Sequence, residues 1–479
     1  MSKSLRSQLM HGVLWNFVEK VLKRGTSFVV GILLARLLSP SDFGLVGMLA
    51  VFVTISTVFI ESGLAKALIQ RKNCKDIDFS TVFVTNLVIS IAIYGLFFCC
   101  APLIADFYHE PVLIPLTRIL GLDFILGSIN IVQRAKLMVN MDFKSLAQIN
   151  VAATIVSGIV GVLMAYGGFG VWALVGQSLC STLVLIVLFP VYSKWRPSIK
   201  FSRESFDYLF GFGSKLLITN IVSAIVNNIS SLCIGRMYKS NQLGFYTRAS
   251  QFPEVVAYTM YDMLGNVTFP VLSGLQDERE RLASVYRKCL FVTAMFIIPA
   301  MVLGALLARP LVLILLTDKW LPCVVLMQWF FLARMFFPIS AINMNVLNAI
   351  GRSDLYMKLD FSKIPLDIII LIITIPLGVK AIAIGVFCSS FICFFINAYL
   401  PGRILGYGSL KQIWDWRYII VSVAIMAIVV SVIMLLVNNV WAQLIVGGTL
   451  GIIVYGICCL AFKVIDSDML VMIKNRKSW

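Results

Sequence analysis

Fourteen separate stretches of the chain are predominantly apolar and about twenty residues long, the length a helix needs to cross a hydrocarbon layer. They cover residues 13–36, 43–66, 79–105, 112–133, 146–166, 170–192, 207–233, 243–272, 286–308, 322–348, 356–377, 381–401, 417–437 and 441–462. Inside lipid a backbone finds no water, so it must close its own hydrogen bonds. A chain written this way is expected to be an all-α polytopic membrane protein with about 14 transmembrane helices. Composition agrees: 59% of the 479 residues are hydrophobic and 13% charged, against about half and a quarter in soluble domains.

The same pattern excludes several functions. A net charge of +17 in a compact domain would suggest nucleic acid, but here the bases are spread along apolar runs, so no nucleic-acid partner is expected. The 11 cysteines form no C-x-x-C pair and sit mostly within apolar runs, where they read as small hydrophobes. His11 and His109 are the two histidines, too few and too far apart in sequence for a His-based metal centre. No phosphate-binding loop, nucleophile elbow or H-E-x-x-H stretch occurs. Lys3 and Arg6 precede the first apolar run without a small-residue cleavage site, so that run is expected to be a retained span. No connection exceeds about 15 residues, too little for the extramembrane segment a membrane-bound transferase or polymerase needs. The expectation is a non-enzyme with no metal or cofactor, working within the bilayer plane.

Lys and Arg set the orientation. Connections on the N-terminal side of the spans carry 25 of them and those on the other side 7, which places both termini in the cytoplasm. Ala35-Arg36-Leu37-Leu38-Ser39-Pro40-Ser41-Asp42-Phe43-Gly44 resembles Gly235-Arg236-Met237-Tyr238-Lys239-Ser240-Asn241-Gln242-Leu243-Gly244 at an offset of 200, and Gly170-Val171-Trp172-Ala173-Leu174 resembles Gly378-Val379-Lys380-Ala381-Ile382 at 208. An even number of spans per repeat gives both copies the same orientation. The expected plan is two like-oriented six-helix lobes around a central cavity, residues 1–203 and 204–410, followed by two additional helices in 411–479.

Ionisable groups at membrane depth are costly and persist where they face a cavity or each other. The first span carries Glu19, Lys20, Lys23 and Arg24, with Glu19–Lys23 and Lys20–Arg24 each one turn apart. The fourth has Arg118 and Asp123, the seventh Lys215, the eighth Glu254 and Asp262, the tenth Arg334, and the eleventh Asp360, Lys363 and Asp367. Outside the self-balanced eleventh span, bases outnumber acids, so the lumen is expected to be cationic and to select an anion. Arginine offers phosphate a two-pronged fork and lysine a point charge. Lys20, Lys23, Arg24, Arg118, Lys215 and Arg334 are the candidates for holding a diphosphate. Trp15, Trp172, Tyr258 and Tyr261 are candidates for stacking on sugars, and Asp262 and Asp367 for H⁺ or Na⁺ coupling.

Leu34-Ala35-Arg36-Leu37-Leu38-Ser39-Pro40-Ser41-Asp42-Phe43-Gly44, Gly63-Leu64-Ala65-Lys66-Ala67-Leu68-Ile69-Gln70-Arg71-Lys72 and Asp318-Lys319-Trp320 resemble signatures of the polysaccharide transporter family, the Wzx-type flippases. The resemblance implies the multidrug/oligosaccharidyl-lipid/polysaccharide exporter superfamily, with two six-helix lobes and a cavity that opens alternately to each side. It implies a flippase in the bacterial inner membrane that passes undecaprenyl-diphosphate-linked oligosaccharides from the cytoplasmic to the periplasmic leaflet, for O-antigen, capsule or exopolysaccharide. Membrane lipids, a polysaccharide polymerase and a chain-length regulator are the partners it implies. A multidrug or metabolite cation antiporter of the same superfamily, or a non-transporting scaffold for envelope assembly, are the alternatives. An antiporter's cavity would want aromatics with carboxylates.

Overall fold

The computed structural model describes the main chain of residues 3–61, 63–70 and 74–464; the side chains of 3–14, 16–17, 66, 70, 212–216, 218–219 and 266–267 fall outside the description. Two compact units form, residues 1–247 and 248–479. The first contains α1 (Lys3–Leu37), α2 (Pro40–Glu61), α3 (Leu64–Gln70), α4 (Asp76–Tyr108), α5 (Leu113–Val139), α6 (Phe143–Tyr166), α7 (Trp172–Ser193) and α8 (Arg203–Met237). α9 (Ser240–Ser273) begins in it and runs on into the second. The second continues with α10 (Arg279–Leu306), α11 (Ala308–Leu315), α12 (Cys323–Arg334), α13 (Phe336–Ala349), α14 (Ser353–Thr374), α15 (Val379–Leu405), α16 (Ser409–Asp415), α17 (Arg417–Leu436) and α18 (Val440–Ala461).

Among the described residues, ten helices are long and apolar enough to cross a membrane, with α12 and α13 together forming one of them. Four more, α1, α8, α9 and α14, are 35, 35, 34 and 22 residues long and coincide with four of the six windows that carry in-span charges. Together they account for all fourteen apolar windows. Large apolar side chains such as Leu435 and Leu103 remain exposed, as a lipid-facing surface requires.

In the first unit α1 packs on α6, α6 on α7, α5 on both α4 and α7, and α2 on α8. Where helices approach closely, glycine admits the neighbour: a Cβ at Gly158 of α6 would lie 2.6 Å from Val30 of α1. The start of α8 is tied to the start of α4 by polar bonds. Ser205 Oγ donates to the buried Asp78 carboxylate (2.6 Å), and the Ser202 N–H donates to Thr81 Oγ1 (3.0 Å).

The repeat of offset 200 is visible as a contact within this unit. α1 and α8 start and end 200 residues apart, and the elbows that follow them meet. A Cβ at Gly44 would lie 1.8 Å from the Ser240 carbonyl oxygen, and one at Gly244 would lie 1.9 Å from that of Pro40. These four positions exchange under the 200-residue offset, so the contact is reciprocal and only glycine fits either side. Ser41 and Ser240 share a hydroxyl hydrogen bond of 2.8 Å across it. The second repeat segment also marks equivalent places. Gly170 and Gly378, at φ 54° and 102°, stand just ahead of α7 and α15, in a conformation that suits glycine. Packing groups the chain differently from the repeat, because α8 lies against α2 and α3 in the first unit.

In the second unit α15 is central, against α12, α13 and α14, while α10 packs on α12 and α17, and α17 on α18. Trp320 is fully buried. A polar chain fastens the short α16: Gln412 donates to Asn343 (3.2 Å) and to Tyr286 (3.4 Å), and Tyr407 donates to Asp415 (2.8 Å). Burial and the Asp415 carboxylate push the Tyr407 phenol above its ordinary range, so it stays a donor.

Candidate substrate-binding site

The tenth apolar window forms two helices, and the break falls at Met335, next to Arg334. Pro338 supplies the reason. It has no N–H to give the carbonyl four residues back, which is that of Arg334, and its ring crowds the same turn. The arginine therefore ends α12 with backbone polarity exposed around it, an arrangement membrane proteins tolerate where a polar group is to be received.

Arg334 Nη2 donates to Glu254 Oε1 of α9 at 2.6 Å. The two side chains keep 29% and 31% of their exposure, so the pair is reachable. Arg334 Nε is buried without a hydrogen-bond partner. Glu254, Tyr258 and Tyr261 recur at i, i+4 and i+7 along α9, which puts them on one face. Both tyrosine rings pack on Phe337, with centroids 4.9 and 5.2 Å away, and Phe337 follows Arg334 by three residues. One guanidinium, one carboxylate and three aromatic rings thus converge. Such a group can offer charge-assisted bonds to an anion and apolar faces to a sugar ring.

The remaining sequence-predicted residues are placed as follows. Asp262 is buried on α9 beside Tyr261. Asp367 of α14 accepts a hydrogen bond from Ser389 of α15, while Lys363 pairs with Asp360 alone (2.7 Å), so the lysine is not shared by both aspartates. In the first unit Lys20 and Arg24 are half-buried and Lys23 is exposed. Glu19 accepts from Asn150 Nδ2 of α6 at 2.8 Å. The Arg118 guanidinium lies 4.3 Å over the Phe98 ring. Trp15 has Lys144 Nζ 5.9 Å over its ring, and Trp172 is half-buried at the start of α7. The Lys215 side chain lies outside the described residues. The structure thus joins Arg334 to Tyr258 and Tyr261. Sequence reasoning missed Phe337 and the Glu254 partnership; the i, i+4, i+7 stripe and the proline four residues after Arg334 were the signals.

A family described as "Polysaccharide biosynthesis protein" matches residues 33–325, more than half of the chain. The chain belongs to this family. Among its curated relatives is the lipopolysaccharide biosynthesis protein WzxC of Escherichia coli (strain K12), 25% identical over 83% of this chain and 80% of that protein. The succinoglycan biosynthesis transport protein ExoT of Rhizobium meliloti (strain 1021) is 27% identical over 64% and 62%. Among solved structures, the lipid II flippase MurJ in an inward closed conformation has a TM-score of 0.74 at 18% identity, covering 95% of this chain and 98% of that one. An inward-facing multidrug resistance MATE family transporter of the MOP superfamily reaches 0.57 at 16% identity, over 80% and 94%. This polysaccharide biosynthesis protein is therefore a multi-pass all-α membrane protein with the MurJ/MATE fold.

Proposed function

We propose that the protein flips a polyprenyl-diphosphate-linked oligosaccharide, of the undecaprenyl kind, from the cytoplasmic to the periplasmic leaflet by alternating access. Arg334 carries this reading. Its guanidinium stands at mid-span beside three aromatic rings, with a buried Nε left over and a carboxylate partner that an incoming diphosphate can replace. A diphosphate and sugars cannot cross hydrocarbon bare, since each unsatisfied polar group there costs several kcal/mol. The site substitutes for water on the polar head while the polyprenyl tail stays in lipid. Tyr258 and Tyr261 offer stacking faces beside Arg334 in the second unit; for the first unit, Lys20, Lys23, Arg24, Arg118 and Lys215 are proposed as phosphate-binding bases and Trp15 and Trp172 as stacking faces. The named function of WzxC and the fold likeness to the lipid II flippase support the same reading.

The paired elbows supply a separable contact for the alternation, because they meet through glycine backbone and one hydroxyl bond. Cysteines at Ser41 and Ser240 joined as a disulfide would then stop transport, and reduction would restore it. Asp367 and Asp262 are proposed to couple the cycle to H⁺ or Na⁺; transport unchanged by both Asp262→Asn and Asp367→Asn would remove that role. A polysaccharide polymerase and a chain-length regulator are the partners this role requires.

The decisive test is genetic. Deleting the protein should abolish the surface polysaccharide while lipid-linked repeat units accumulate on the cytoplasmic side. The wild-type chain should restore output and Arg334→Ala should not. Full rescue by that variant would leave Arg334 a structural residue. Export of organic cations tolerant of Arg334→Ala would favour the antiporter instead.

A further inference from the structure

We infer that the elbow between α16 and α17 in the second unit binds an anionic membrane phospholipid, its phosphate on Arg417 and one acyl chain in the groove beside it. α16 is amphipathic in the reverse of the usual sense. Its buried residue is Gln412, bonded to Asn343, Tyr286 and the Tyr407 carbonyl. Its outer face carries Leu410 and Trp414, one turn apart and 77% and 68% exposed. A short helix that turns leucine and tryptophan outward while fixing an amide inside suits the headgroup layer, where tryptophan is favoured. Arg403, Lys411 and Arg417 of this connection also belong to the base-rich side of the spans.

Arg417 is held ready for a phosphate. Its guanidinium carbon lies 5.0 Å over the Trp414 ring and 4.5 Å over that of Tyr418, and Nη1 donates to the Trp414 carbonyl at 2.9 Å. Tyr418 in turn stacks on Phe462 of the segment after α18, with centroids 5.9 Å apart. The arginine is exposed and, among the described residues, forms no ion pair. The acid nearest to it in sequence, Asp415, is already engaged. Arg287 grips that carboxylate through bonds of 2.7 and 3.0 Å, and Tyr407 donates to it as well. An oriented arginine with no acid of its own offers its fork to phosphate oxygens, and Lys411 and Arg403 favour a head with net negative charge.

Beside the arginine lies a depression of about 510 Å³, lined by Leu410, Ile413, Trp414, Arg417, Ile420 and Val421. Ile420 and Val421 are exposed on α17, so the groove opens along an apolar face of that span. A free phosphate would leave those walls in water, and a soluble partner would have to enter the headgroup layer to reach them. A phospholipid satisfies both ends at once, with its head on the arginine and its chain on isoleucine and valine.

The site stands apart from the flippase reading and from Arg334, so its test reads lipid binding alone. The full-length protein is reconstituted in phosphatidylcholine vesicles with phosphatidylglycerol as a minor component, one of the two lipids brominated on its acyl chains. Bromine quenches nearby tryptophans, and the difference between the wild-type chain and Trp414→Phe isolates Trp414 among the nine. At equal low mole fraction, brominated phosphatidylglycerol should occupy the place beside Trp414 about fivefold more often than brominated phosphatidylcholine, the weight of one surface cation on an anionic lipid. Arg417→Gln should erase that preference, while unchanged quenching of the other tryptophans shows that the variant is folded. Equal quenching by the two lipids, a preference that survives Arg417→Gln, or no quenching of Trp414 by either lipid overturns the site. Displacement of phosphatidylglycerol by undecaprenyl diphosphate, added in an amount matching the protein, would give the groove to the carried lipid and overturn it too.

Discussion

α5 and the α12–α13 pair are each 27 residues from end to end, occupy the fourth span of the two halves of the repeat, and each carry an arginine, yet they treat it differently. α5 is unbroken; its proline, Pro115, sits in the first turn, where a missing N–H is harmless. Its Arg118 rests on an aromatic ring and its Asp123 on hydroxyls, all within the first unit. α12–α13 has Pro338 at mid-length, and its Arg334 ends a helix and reaches an acid on another one, although both arginines leave Nε buried without a partner. The difference is one of reach. A continuous helix buries its charges along a seam, whereas a broken one frees backbone and side chain to receive something else.

The largest effect that would break the comparison is on polysaccharide output. Arg334→Ala should abolish it, while Arg118→Met, which removes one auxiliary charge but keeps the packing on Phe98, should lower it only severalfold; equal loss from both would mean the two spans do the same job. Next, Pro338→Ala should mend the helix, raise thermal stability by up to about 3 kcal/mol and still lower transport; unchanged transport would show that the break has no role.

A smaller effect sharpens the account of the pair itself. Arg334→Ala and Glu254→Ala should each destabilise by about 1–3 kcal/mol, and the double variant by clearly less than their sum, as calorimetry on the four proteins would show. Smallest of all, Tyr407→Phe should cost about 1 kcal/mol by removing one hydrogen bond to Asp415, with no change in transport.

Much of this was legible in the sequence. Fourteen apolar windows appear as fourteen span-length helices or helix pairs, because in lipid the backbone has no other way to close its bonds. The offset of 200 was legible too, although its meaning was not: Gly44 and Gly244 read as turn glycines, and only the fold shows each pressed on the other's elbow. For the candidate site, residue types were legible and partners were not. Arg334 stood out as a base at mid-span and Tyr258 and Tyr261 as aromatics. Nothing in their spacing from one another could say that α9 and α12 bring them together, since they lie 80 residues apart in the pair that matters. Lys363 stands one turn from both Asp360 and Asp367 in the sequence, and its side chain pairs with Asp360.

The sequence by itself determined the solvent, the secondary structure and the number of spans, because those follow from local hydrophobicity and backbone hydrogen bonding. Tertiary structure alone decided which charges are neutralised, which rest on hydroxyls or rings and which stay available. Those outcomes depend on what a neighbouring helix presents at the same depth, and that is set by packing between segments far apart in the chain.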